Sequence, residues 1–198
     1  DNAAVRCLND IAGAVRRCTS LPAPLPKFEE YVASEDGEQG AQLRLAKYRI
    51  TTTLAELEKS HGPLAQAERK ALNEFVTGAR SVWNNAQLLT PMAPLFENTL
   101  RPFLGASSRT IALFESEMVA DFAADALSKT DNFAGRVVLK LQKKVLYFLD
   151  RAGLDDLEEE PDAYRNQIKT LIVVGPSRSS LLTALARPWL PERTIVLA

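Results

Sequence analysis

Residues Thr170–Ala198 read TLIVVG, then PSRSSLLTALARPWL, then PERTIVLA. Thr170–Gly175 is a short apolar run rich in β-branched residues, the composition of a buried strand. PSRSSLLTALARPWL reads as an amphipathic helix, and Thr194–Ala198 is an apolar run again. Strand, helix and strand in that order make a parallel pair with a crossover, which places this end of the chain in the α/β class.

The first junction of this unit is Gly175-Pro176-Ser177-Arg178-Ser179-Ser180. A strand that turns directly into a helix leaves amide donors and the positive end of the helix dipole facing outward. Hydroxyls and a guanidinium suit a phosphate or carboxylate there. Gly175, Ser177, Arg178, Ser179 and Ser180 are therefore the candidate anion-binding residues. Serine and proline at that place also serve as ordinary helix-start residues. The stretch is neither G-x-x-x-x-G-K-[ST] nor G-x-G-x-x-G, so both nucleotide fingerprints are missing.

Upstream, Arg109–Phe114 (RTIALF) and Glu117–Ser128 repeat the strand-then-helix pattern, with Ser116 placed to cap the helix. The expected sheet joins Arg109–Phe114, Thr170–Gly175 and Thr194–Ala198. Arg136–Ala152 carries both periodicities: Val138, Leu141, Val145, Leu146 and Leu149 recur like a helix, and Arg136–Leu141 alternates like a strand. Its length and Lys/Gln content favour a helix ended by Gly153; were Arg136–Leu141 a strand, the sheet would gain a fourth member.

Residues before Gly105 read as almost wholly helical. Ala4, Leu8, Ile11, Val15 and Cys18 form one seam of a helix over Asn2–Thr19, closed by the prolines of Leu21–Pro26. Lys27–Ala33 reads as a short helix, Ser34–Gly40 as an acidic loop, and Ala41–Ser60 as one long helix ended by His61-Gly62-Pro63. Leu64–Leu89 and Leu95–Leu104 follow. The expected organisation is a helical bundle region, 1–104, packed beside a small α/β region, 105–198.

The chain has 198 residues, 46% of them hydrophobic and 25% charged, with net charge -1. A near-neutral chain has no field to drive it onto phosphate backbones or anionic lipid. Nucleic acid is thus not indicated by charge, although Arg16, Arg17, Arg136, Lys140, Lys143, Lys144, Arg151 and Arg178 could form a local basic surface. Cys7 and Cys18 stand eleven positions apart on one expected helix. That is about 16 Å, too far for a disulfide. With no apolar run of membrane-spanning length and no secretory leader pattern, a reducing, cytoplasmic setting is expected. The acidic run Asp155–Asp162 lacks the spacing and glycine of a calcium loop and reads as solvated surface. His61 is the single histidine and has no partner of defined spacing, so no Ser-His pair is expected. The sequence assigns no cofactor, metal or catalytic residue.

In pattern, the strand, Ser/Arg loop, amphipathic helix and strand of Thr170–Ala198 loosely resemble a piece of a RecA-like lobe; no arginine-finger signature is present, although Arg178 is a candidate. The resemblance rests on no discriminating motif. Beginning at Asp1 and stopping within the run Thr194–Ala198, the chain is expected to be a piece of a larger protein. The leading functional expectation is a non-catalytic helical interaction or regulatory module of a nucleotide-dependent or nucleic-acid-processing protein, partnered by the rest of that protein or by another. The second is part of an α/β enzyme binding a phosphate-bearing ligand at Gly175–Ser180.

Overall fold

The computed structural model describes residues 2–48, 50–59, 66–131, 133–175, 185–191 and 193–197. They form two compact units: residues 1–19 with 24–90, and residues 20–23 with 91–198. No helix among the described residues is long and apolar enough to cross a membrane.

The first unit is helical: α1 (Asn2–Thr19), α2 (Leu25–Leu45), α3 (Thr51–Lys59) and α4 (Gln66–Leu88). Ile11 and Ala14 of α1 are buried with Ile50, Leu54, Leu57, Val76 and Ala79, and Trp83 packs at the rim of this core. Two expectations change here. Ser34–Gly40 is not a loop, because α2 runs through it with one kink at Gly37, whose φ of 70° and ψ of 176° are non-helical. Nor is Ala41–Ser60 one helix. The chain breaks between Leu45 and Thr51 because Tyr48 is drawn wholly inside, 4.7 Å from the Phe28 ring. Cys18 Sγ donates to Tyr48 O at 3.1 Å, and Arg17 Nε donates to Lys47 O at 2.8 Å, so α1 satisfies carbonyls that a continuous helix would have used internally. His61 lies outside the described residues.

The second unit holds α5 (Met92–Leu100) with a 3-10 turn at Arg101–Leu104, β1 (Arg109–Leu113), α6 (Glu117–Ser128), α7 (Ala134–Gln142), β2 (Leu146–Leu149), α8 (Arg151–Glu158), α9 (Asp162–Arg165), β3 (Ile168–Val174) and β4 (Arg193–Leu197). The strands form one parallel sheet in the order β2-β1-β3-β4. The protein is thus mostly α with a small C-terminal α/β part. Residues 91–104, expected with the N-terminal helices, belong to the sheet unit, where Phe96 meets the rings of Phe114 at 5.5 Å and Phe148 at 5.9 Å.

Central β1 and β3 are buried along nearly their whole length, as a parallel sheet covered on both faces requires. Register sets the faces: Ile111 and Leu113 lie beside Leu171 and Val173, and pack with Leu154 and Leu157 of α8, Tyr164 of α9, and Leu185, Trp189 and Leu190. Thr110, Ala112 and Phe114 alternate to the other face, where the Phe96–Phe114–Phe148 cluster sits. Connections β1–α6–α7–β2 and β2–α8–α9–β3 move in opposite directions along the sheet, so right-handed crossovers take them over opposite faces.

The fourth strand is present, but at Leu146–Leu149 and not at Arg136–Leu141, which is helical. The expected helix over Arg136–Ala152 stops at Gln142. Lys144 adopts a positive φ of 52°, and its carbonyl accepts from Tyr147 Oη at 2.8 Å. Leu146 and Phe148 then bury one side of a strand beside Thr110 and Ala112. Gly153, expected to end a helix, sits instead in the first turn of α8, where its N–H donates to the N-cap Asp150 carboxylate at 3.0 Å. Arg151 consequently opens α8 and does not share a helix with Lys140 and Lys143.

Two glycines make opposite predictions. A Cβ on Gly153 would lie 2.9 Å from Leu149 Cδ2 and 3.3 Å from Leu149 Cβ, whereas one on Gly78 of α4 would meet nothing within 4 Å. In urea denaturation Gly153→Ala is expected to cost about 1–2 kcal/mol, and Gly78→Ala to add about 0.5–1 kcal/mol.

Burial raises the Cys18 thiol from 9.0 to about 12. Its folded pKa exceeds the unfolded one, so the stability tied to the protonated thiol is complete below pH 9.0 and lost as pH rises to about 12. Denaturation midpoints should fall across that window less steeply in Cys18→Ala than in the parent chain; equal slopes would contradict the assignment.

Candidate functional site

The strand order contains one reversal. From β1 the chain moves outward to β2, then returns past β1 to β3 and continues to β4. By the right-handed crossover rule α6, which follows β1, lies on the face opposite to the one where Leu185, Trp189 and Leu190, which follow β3, pack with α8. In open α/β sheets this switch point is where ligands bind.

On the β1 side stand Phe114, Glu115 and Ser116. Phe114 is buried, and its N–H donates to Leu149 O at 2.8 Å. Ser116 has extended backbone, φ -158° and ψ 156°, and its carbonyl accepts from Val119 N at 3.1 Å and Ala120 N at 3.0 Å. It occupies the N-cap position that the sequence suggests, but its hydroxyl makes no capping bond. Ser116 Oγ is buried and has no hydrogen-bond partner among the described residues. Donors of the first turn of α6 are thus not closed off by the cap side chain.

On the β3 side stands Gly175. Its N–H donates to Leu197 O at 2.8 Å, which extends the β3–β4 ladder by one bond. The residue then turns with φ of 100°, a conformation that side-chain-bearing residues rarely adopt. A Cβ there would lie 3.5 Å from Ser20 Cβ. Gly175 thus ends the β3 ladder in a conformation that favours glycine. Ser177, Arg178, Ser179 and Ser180 lie outside the described residues.

Other candidate groups find structural roles. Asp155 pairs with Arg187, Glu158 lies 3.0 Å from the same guanidinium, and Asp162 pairs with Arg165. No group of three or more potential metal-ligating side chains occurs among the described residues. Lys140 Nζ donates to Ala106 O, pinning α7 to the turn before β1. At the opposite end of the sheet, the Arg109 guanidinium lies 3.7 Å from the Tyr164 ring centroid and donates to Tyr164 O at 3.2 Å. The Tyr147 and Tyr164 hydroxyls bond each other. Burial, then that hydrogen bond, holds the Tyr147 phenol above its ordinary range, so it stays neutral and structural.

Sequence reading singles out Gly175 and not Phe114–Ser116 at the end of the neighbouring strand. The local signal, an apolar strand running straight into a capped helix, was present in RTIALFESE. Whether the strand order reverses between β1 and β3 depends on where β2 lies, and β2 falls within an apparently helical repeat.

No protein-family model, curated protein or solved structure matches the chain.

Substitution separates the two sides of the candidate site. Ser116→Ala removes a buried, unpartnered hydroxyl and should leave stability unchanged or slightly raised, whereas Gly175→Ala should cost about 1 kcal/mol or more for the positive φ. A loss of about 1 kcal/mol for Ser116→Ala in chemical denaturation would show a working cap.

Proposed function

We propose that the α/β unit binds a small phosphate-bearing ligand at the carboxyl ends of β1 and β3. The observation that carries this reading is the strand order β2-β1-β3-β4, with its reversal between β1 and β3. It gains support from the positive-φ Gly175 after one strand and from the α6 start with its unpartnered Ser116 hydroxyl after the other. The chemistry of Ser177, Arg178, Ser179 and Ser180, taken from sequence, is that of phosphate donors. The reading assigns binding and no reaction, because a fold places a site and only its side chains set chemistry.

The interaction-module reading keeps one observation of its own: Leu43 and Leu88, on helices of the first unit, are each 81% exposed. Leucines held out in water on otherwise packed helices suit a protein partner. Both readings agree with a part of a larger nucleotide-dependent or nucleic-acid-processing protein.

Titration of the full chain with phosphate, sulfate and a nucleotide, followed by amide NMR, tests the ligand reading. Saturable shifts confined to Gly175–Ser180 and Ser116–Met118 are expected. No response at millimolar ligand would sink it.

A further inference from the structure

Helix α7 is held to its unit by a narrow stripe. Val137 is buried, and Ala134 and Leu141, three before and four after it, are half-buried on the same side. The outer side is bare. Gly135, Val138, Leu139 and Gln142 are all exposed, Val138 to 38% and Leu139 to 46%. These four stand at i, i+3, i+4 and i+7, the corners of the hole that receives one side chain of a packed helix. Gly135 leaves its corner open, since a Cβ there would meet nothing within 4 Å.

Charge of one sign borders the hole. Arg136 and Lys143 stand three before and four after Leu139, so they run along its side of the helix. Both are exposed, and neither makes an ion pair among the described residues. From Phe133 to Leu149 there is no Asp or Glu. On α6, which packs against α7, Asp125 is paired with Lys129 at 2.7 Å. Arg136 lies in the first turn, where a cation opposes the helix dipole, so helix stability does not account for it. A single exposed leucine is ordinary. An open hole rimmed by unneutralised cations is different, because it specifies both the shape and the charge of what fits it.

We propose that the outer face of α7 docks an acidic amphipathic helix of a partner protein. An apolar side chain of that helix seats among Gly135, Val138, Leu139 and Gln142, and its carboxylates face Arg136 and Lys143. Three other occupants fit less well. A second copy that paired its own α7 here would set like charges together. Nucleic acid answers the cations but leaves Val138 and Leu139 without an apolar counterpart. An anionic membrane takes a helix with a broad apolar face, and α7 offers two exposed apolar side chains.

Labelled helical peptides of about three heptads test this on the full chain by fluorescence anisotropy. One has Leu at a and d and Glu at e and g; a second replaces Glu by Lys; a third replaces Leu by Ala. Only the first should bind, with amide NMR shifts centred on Gly135–Lys143. Arg136→Glu combined with Lys143→Glu should weaken it about tenfold. Gly135→Leu, which fills the hole, should weaken it about fivefold or more. Both variants alter exposed residues and should keep the parent's unfolding midpoint, so lost binding reads as lost contact. Equal binding of the second or third peptide overturns the inference. So does full binding by either variant, or no binding of the first peptide at millimolar concentration. Phosphatidylserine vesicles or duplex DNA held more tightly than the first peptide would assign the face to lipid or nucleic acid, and overturn it too.

Discussion

The pairing of β1 with β3 is the constraint on which the α/β unit depends. Each strand buries both of its faces, so neither can lie at an edge, and every other element of the unit is recruited to cover one face or the other. Ile111, Leu113, Leu171 and Val173 need α8, α9 and the 185–190 segment. Phe114 needs Phe96 and Phe148. That second requirement takes α5 away from the N-terminal helices and draws residues 146–149 out of a helix. Roughly 2 kcal/mol per fully buried apolar side chain outweighs the few tenths per residue by which helix propensity distinguishes ordinary residues.

Where one interaction decides a segment, the sequence is legible. Asn2–Thr19 and Glu117–Ser128 have a single amphipathic face and matching ends, and both helices occupy those residues. β1 and β3 are legible because continuous β-branched runs have few other homes. Two segments mislead for the same reason: a tertiary partner overrides the local period. Tyr48 would sit on a regular helix face, but the core beside Phe28 takes it and α1 supplies donors to the opened carbonyls. Leu146 and Leu149 would continue a helical repeat, but the edge of β1 takes Leu146–Leu149 as a strand.

The candidate site is half legible. Gly175 announces itself, because a glycine ending an apolar strand before a serine-rich helix start has a stated backbone reason. Ser116 does not, since its place at the candidate site comes from the reversal of strand order between β1 and β3, and that reversal is set by the edge strand β2. The N-cap hydroxyl expected to close its own helix makes no bond among the described residues. That difference in one side chain separates a closed helix start from an open one.

The parallel register has a further consequence, a kinetic one. Leu113 meets Val173 only after α6, α7, β2, α8 and α9 have been brought around it. Closing so long a loop costs chain entropy before any of the buried contacts repay it. The helical unit closes loops of similar length, since Ile11 and Ala14 of α1 are buried with Val76 and Ala79 of α4. Both units therefore depend on contacts distant along the chain, the kind that slow folding. Until β1 and β3 pair, the proposed ligand site at their carboxyl ends is not assembled, so it waits on one of these long-range contacts.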